Sequence, residues 1–186
     1  MNQGSKGRLL YDLIDDYVAL DIETTGLDPR GCDIIELAAI RIRGSQLIES
    51  FSQLVKPSCG VSGFITRLTG ISNDMLTDAP TICEALPHFI EFVGDDIILG
   101  HNVCFDIGFI CDKAAKQNRF FDNDYIDTMR ISRRLFPEHR THKLDDLISR
   151  FQLEARDEHR ALGDTLLTAR CYEYMKRYMR RREIKL

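Results

Sequence analysis

Two carboxylates two residues apart, Asp21 and Glu23, close an apolar run that reads Val18-Ala19-Leu20-Asp21-Ile22-Glu23-Thr24-Thr25-Gly26-Leu27. If Tyr17–Glu23 is a strand, successive side chains alternate between its faces and both acids project to one side. Val18, Leu20 and Ile22 then point the other way, into a core. Like charges held side by side on a rigid strand repel unless something positive sits between them. Hard divalent cations with oxygen ligands are such a partner. A strand that merely runs out into solvent carries the same pattern, so the reading turns on whether further acids arrive in suitable settings.

They do. Gly100-His101-Asn102-Val103-Cys104-Phe105-Asp106 follows a short apolar run and places Asp106 in the first turn of a helix. An acid there also suits the helix dipole, and His101 and Asn102 could simply finish a strand end. Yet the ends of strands in open α/β sheets are where such folds keep their sites. A third group, His159-Arg160-Ala161-Leu162-Gly163-Asp164, supplies another acid. Five helical residues turn through about 500°, which leaves His159 and Asp164 about 140° apart if both are helical. They converge only with His159 on the loop before the helix and Asp164 on its body. A loop histidine either faces solvent or, titrating near neutrality, acts as a general base on a water beside a metal. Together, Asp21, Glu23, Asp106 and Asp164 repel strongly without cations, and with two divalent ions they make a phosphoryl-transfer site.

The elements that must position these groups can be read in order. Residues 1–16 form an amphipathic lead-in (Leu9, Leu10, Leu13, Ile14) expected to pack on a sheet edge. Strands are expected at Tyr17–Glu23, Ile34–Arg43, Leu47–Val55, Asp95–Gly100 and Tyr125–Asp127, the first three as a meander with Gly44-Ser45 as a tight turn. Short helical turns follow around Phe64–Ile71. A helix with Pro80 in its first turn then carries Ile82, Leu86, Phe89, Ile90 and Phe92 at helical spacing. Further helices are expected after Asn102 and over Thr128–Phe136, Lys143–Phe151 and Ala161–Arg182. Hairpins first and strand–helix alternation afterwards give an α/β fold, a mixed five-stranded sheet with helices on both faces. The whole of 1–186 reads as one domain, with 17–175 as its core and 176–186 as a basic C-terminal tail.

Composition is that of an ordinary globular protein, 44% hydrophobic and 29% charged over 186 residues, enough for one good core. No apolar run approaches the ~18 residues needed to span a membrane, and the Leu9–Ile14 patch is too short for a signal sequence. The six cysteines (32, 59, 83, 104, 111 and 171) show no Cys-x-x-Cys pairing, which points to free buried thiols in a reducing, cytoplasmic setting. A net charge of −4 offers no global attraction for nucleic acid, so a polyanion must be drawn by local basic patches or by bound metal. Two patches offer themselves: Arg130, Arg133, Arg134, Arg140 and Lys143, and the tail residues Lys176, Arg177, Arg180, Arg181, Arg182 and Lys185.

The three acidic groups, in this order and with these internal spacings, resemble the exonuclease motifs of the DEDD superfamily, histidine branch. Within it the chain is most similar to the proofreading exonucleases of bacterial DNA polymerase III, both the epsilon subunit and the built-in domain of the Gram-positive enzyme. Leu68-Thr69-Gly70-Ile71, Asp127-Thr128 and His142-Lys143-Leu144 add to the resemblance, which runs from about Tyr17 to Tyr174. It implies a ribonuclease H-like fold and a 3′–5′ exonuclease releasing nucleoside 5′-monophosphates. Asp21, Glu23, Asp106 and Asp164 would hold two Mg²⁺ or Mn²⁺ ions, and His159 would take a proton from the attacking water. Thr24, Thr25, Gly26 and Leu27 would lie near the terminal nucleotide, Phe105 near its base or sugar, and His101 and Asn102 would shape the pocket. The implied substrate is the 3′ end of single-stranded DNA, with an exoribonuclease of the same fold and a non-catalytic docking module as alternatives. A chain of this length cannot hold a polymerase, so proofreading implies a separate polymerase partner.

Overall fold

The computed structural model describes residues 7–154 and 160–186. Strands β1 (Leu9–Leu10), β2 (Tyr17–Thr24), β3 (Ile34–Arg43), β4 (Gln46–Leu54), β5 (Ile98–Gly100) and β6 (Tyr125–Asp127) form one sheet in the order β1-β6-β5-β2-β3-β4. The β2-β3-β4 meander is antiparallel, whereas β5 runs parallel to β2, β6 to β5 and β1 to β6. The sheet therefore has six strands where the sequence pattern gave five. Leu9 and Leu10, expected to pack on the edge, pair with Tyr125 and Ile126. Two residues are too few for a strand's alternation to register in sequence.

The meander turns where Gly44-Ser45 predicts. Both residues have positive φ, +56° and +62°, the backbone of a type I′ hairpin turn. The Gly44 amide donates to Asp16 Oδ1 at 2.7 Å and the Ser45 amide to the Asp15 carbonyl at 2.9 Å, so the lead-in segment fastens the hairpin tip.

Helices α1 (Gly63–Thr69) and α2 (Asn73–Leu76) cover a small apolar cluster around Ile35, Val61 and Ile71. Helix α3 (Ile82–Val93) starts after Pro80 instead of including it in its first turn. Thr81 is its N-cap in a capping box with Glu84, so Pro80 lies just outside the first turn. Helices α3 and α4 (Cys104–Ala115) cover one face of the sheet, where Val18, Leu20, Ile22 and Leu37 meet Leu86, Phe89, Phe109 and Ile110. Helices α5 (Thr128–Leu135), α6 (Leu144–Arg150) and α7 (Ala161–Arg182) cover the other, where Tyr17, Ala19 and Ile40 meet Ile131, Leu147, Tyr172 and Met175. Strand β2 is thus buried on both faces, and Asp21 and Glu23 continue the row of Tyr17 and Ala19 that faces α7.

Lys176, expected among the exposed tail cations, is fully buried. Its ammonium donates to Asp15 Oδ1 at 2.6 Å, the Ile14 carbonyl at 2.8 Å and Ser45 Oγ at 3.0 Å, and it pairs with Glu173 at 2.7 Å. Helical phase explains the difference, since position 176 follows buried Met175 on the inward side of α7. Lys176→Met is expected to cost about 3 kcal/mol in urea unfolding, because it takes the buried cation from Glu173, leaves Asp15 with Arg180 as its cation and loosens the hairpin anchor. None of the six cysteines forms a disulfide, but Cys59 and Cys83 are exposed rather than buried. Among the described residues no helix is long and apolar enough to cross a membrane.

Candidate active site

β2 extends beyond its partner β5, which pairs only Val18 and Ala19 with Ile98 and Leu99 before ending at Gly100. The chain then reverses tightly: a Cβ on Gly100 would lie 2.4 Å from Val103 Cγ2, so only glycine fits there. This reversal aims the start of α4 at the unpaired edge of β2. Asp106, 5% exposed, accepts the Ile22 amide through Oδ1 at 3.1 Å, between the two motif acids.

From the opposite side α7 delivers Asp164 in its first turn, where a carboxylate also suits the helix dipole. Carboxylate oxygens of Asp21, Glu23 and Asp164 lie within 4.8 Å of one another, all three side chains partly exposed. Of the acids the sequence singles out, these three meet directly, and Asp106 adjoins them from behind. His159 lies outside the described residues. Helix α7 does begin at Ala161, so Asp164 is on the helix body as convergence requires.

The crowding shows in proton affinity. Burial, followed by repulsion from Asp106, Glu23 and Asp164, pushes the Asp21 carboxyl well above its usual range. Burial also raises Glu23 to about 7, with Asp164 and Glu36 adding repulsion and Arg160 offsetting part of it. Asp106 is raised to about 8, chiefly by burial, against the lowering effect of its own amide and that of Ile22. Such a set of hard oxygen donors, unfavourable as bare anions, fits divalent cations.

The loop after β2 is built by its own threonines. Thr24 Oγ1 donates to the Gly26 carbonyl at 2.7 Å, and Thr25 Oγ1 accepts the Asp33 amide at 2.9 Å. A Cβ on Gly26 would lie 2.6 Å from Cys32 Sγ, so the loop closes tightly on itself. Leu27 is left 84% exposed at its tip. His101 and Asn102 are held by the β6–α5 junction rather than by the acids. His101 Nδ1 lies 2.9 Å from Thr128 Oγ1, and the Asn102 amide donates to Asp127 Oδ1 at 3.1 Å with Asn102 at φ +58°. His101 Nε2 is buried with no hydrogen-bond partner among the described residues. Phe105 rests its ring on Phe109 at 5.0 Å.

The sequence pattern does not single out Glu36, which pairs in register with Glu23 and is 1% exposed. A signal exists: one carboxylate inside Ile34-Ile35-Glu36-Leu37-Ala38-Ala39-Ile40 must find a partner if the strand is buried. That partner is Arg160, at 2.7 Å.

A buried and half-buried carboxylate set at the end of a mixed α/β sheet is the kind of donor set that metal-assisted phosphoryl chemistry uses. The chain belongs to the exonuclease family (RNase_T), whose model matches residues 18–172. The epsilon subunit of DNA polymerase III from Aquifex aeolicus is 42% identical over 158 residues, covering 84% of this chain and 78% of that protein. The PolC-type DNA polymerase III of Caldanaerobacter subterraneus subsp. tengcongensis is 39% identical over 157 residues, of which this chain spans 11% of the length. Among solved structures, the nuclease domain of 3′hExo, a DEDDh family member bound to rAMP, superposes with a TM-score of 0.76 at 20% identity, over 88% of this chain and 92% of that one. The fold is therefore the ribonuclease H-like one.

Proposed function

We propose that the chain is a metal-dependent 3′–5′ exonuclease that removes nucleotides from the 3′ ends of single-stranded DNA and releases nucleoside 5′-monophosphates. The observation that carries this reading is the convergence of Asp21, Glu23 and Asp164 within 4.8 Å, with Asp106 tied to the strand between them. Two divalent cations, Mg²⁺ or Mn²⁺, would be held by these four residues and supply Lewis-acid activation of water and neutralisation of the phosphoryl and leaving oxygens. The protein's own part is to fix the donor geometry and move a proton. His159, the residue before Arg160 in the chain, takes that proton as the water oxygen bonds to phosphorus and the P–O3′ bond breaks. The departing 3′-oxygen is protonated from solvent.

Thr24, Thr25 and Gly26 form a rigid lip for the terminal nucleotide, and exposed Leu27 offers its base an apolar surface. Phe105 backs the sugar, while His101 and Asn102, held by Thr128 and Asp127, shape the pocket floor. Arg130, Arg133, Arg134, Arg140 and Lys143 are exposed on α5 and the segment leading into α6, and they hold the strand upstream through its phosphates. The preference for DNA over RNA, the cytoplasmic setting and a polymerase partner are inferred from the relatives at about 40% identity.

The test uses matched 5′-labelled single-stranded DNA and RNA with Mn²⁺, Mg²⁺ or EDTA, with Asp21→Ala as control. A metal-dependent ladder shortening from the 3′ end of DNA and absent in the variant is expected. A ladder on RNA alone would replace DNA with RNA as substrate. Binding without any ladder would reduce the chain to a docking module.

A further inference from the structure

The geometry points to Glu36 and Arg160 as positioning residues for the third acidic motif, an inference that rests on the exonuclease reading above. Arg160 clamps Glu36 with two donors, Nη2 to Oε1 at 2.7 Å and Nε to Oε2 at 3.1 Å, and the Ala161 amide reaches the same Oε2 at 3.3 Å. Arg160 is the N-cap residue of α7, with extended backbone and no cap from its own side chain. A carboxylate from β3 therefore does what a capping side chain normally does, accepting a first-turn amide and complementing the dipole.

The consequence is geometric. Glu36 lies across the β2–β3 ladder from Glu23, so whatever is bolted to Glu36 is bolted to the metal-binding strand. The bolted part is the turn that carries Asp164, whose amide bonds the Arg160 carbonyl at 3.1 Å. Farther along, α7 is held by buried Thr165, Thr168, Cys171, Tyr172 and Met175 and needs no such clamp to dock. Its first turn fully buries only Ala161. A cavity of about 380 Å³ lies beside it, lined by Ser52, Leu162, Gly163 and Leu166 among others. Gly163 is also the weakest helix former in that turn. The same pair offsets a charge: Glu36 repels Asp21 and Glu23, and the Arg160 guanidinium counters that field at Glu23.

Arg160→Gln, Glu36→Gln, the double variant and Arg160→Lys test the assignment, with kcat and KM measured on single-stranded DNA well below each variant's Tm. Mn²⁺ affinity by calorimetry and hydrogen exchange of the Ala161, Asp164 and Thr165 amides are read alongside. Each single glutamine variant is expected to lose about 10- to 100-fold in kcat with KM within about twofold, the signature of misplaced groups. Mn²⁺ affinity should fall, and first-turn amides should lose protection while those beyond Thr168 keep theirs. The double variant should be no worse than the worse single, and Arg160→Lys, lacking the fork, should recover only part of the loss. Arg160→Lys keeps a cation beside buried Glu36, and the double variant leaves no unpaired buried charge, so these two keep the test readable even if a single glutamine variant does not fold. A lower Tm with unchanged kcat and Mn²⁺ affinity would make the pair purely structural and overturn the assignment. A raised KM with a shallower salt dependence and intact kcat would also overturn it, placing Arg160 on a substrate phosphate. If the wild-type chain hydrolyses nothing, the exonuclease reading fails, while exchange and calorimetry still decide the clamp.

Discussion

Asp21→Asn is expected to hydrolyse DNA at least about 10³-fold more slowly than the wild type, a loss of about 4 kcal/mol of transition-state stabilisation. Its metal-free form should melt no lower than the wild type, and by a few degrees higher. The two halves of this result share one cause. Burial, followed by repulsion from Asp106, Glu23 and Asp164, disfavours the charged Asp21 carboxylate, so neutralising it relieves the folded state in EDTA while deleting a metal ligand. Asp106→Ala is expected to behave differently. It too removes an acid of the cluster, but it also leaves the Ile22 amide without its acceptor, a loss of about 1–3 kcal/mol for a buried donor. Activity on labelled oligonucleotides and melting in EDTA separate the two variants. A Tm for Asp21→Asn well below that of the wild type would show that the cluster is not under mutual repulsion.

The motif acids were legible in sequence because a strand's period of two fixes where Asp21 and Glu23 point, whatever the rest of the chain does. Asp106 was legible as an acid in the first turn of a helix, and Asp164 as an acid on a helix body. Their convergence was not, since it depends on the reversal at Gly100 and on how α7 docks. Strand and helix limits fall within a residue or so of expectation where apolar runs are long, as at Ile34–Arg43 and Ala161–Arg182. They fail for Leu9–Leu10, whose strand exists only because β6 offers it an edge. Lys176 was misread for a related reason. In a run of cations, composition suggests a solvated tail, but helical phase turns this one lysine inward to Asp15, 161 residues away in sequence.

The threonines and the His-Asn pair show a subtler limit. Their residue types suggest groups that meet substrate, and the structure shows what they also do within the protein. Thr24 and Thr25 close the loop that presents Leu27, and Asp127 and Thr128 hold Asn102 and His101. Asp127-Thr128, legible only as part of a resemblance, thus has a physical role: Asp127 Oδ1 accepts the Asn102 and Met129 amides together and joins the β5–α4 loop to the start of α5. A site of this kind is a few exposed donors supported by many buried ones. Sequence periodicity locates the first group better than the second.

Without metal, the protein is expected to lose stability as pH rises from about 5 to 8, the reverse of the usual trend for a protein rich in carboxylates. In the unfolded chain Asp and Glu release their protons near pH 4. In the folded chain Glu23 holds its proton to about pH 7 and Asp106 to about pH 8, and Asp21 is shifted in the same direction. Between these limits the native state binds more protons than the unfolded one, so the slope of unfolding free energy with pH is negative. The stabilisation is fully present below about pH 4 and is lost as pH passes through 7 and 8. From Glu23 alone a loss of about 2 kcal/mol, about 5 °C in Tm, is expected between pH 5.5 and 8 in EDTA, and Asp106 adds to it. Saturating Mn²⁺ should cancel it. Cations need the deprotonated carboxylates, so metal binds more tightly as protons leave, and at a hundred times its Kd it adds about 2.7 kcal/mol. Melting curves at pH 5.5, 7 and 8, each with EDTA or Mn²⁺, measure both slopes at once. Equal Mn²⁺ stabilisation at all three pH values would mean that the metal does not compete with these protons, and the four-carboxylate centre would have to be abandoned.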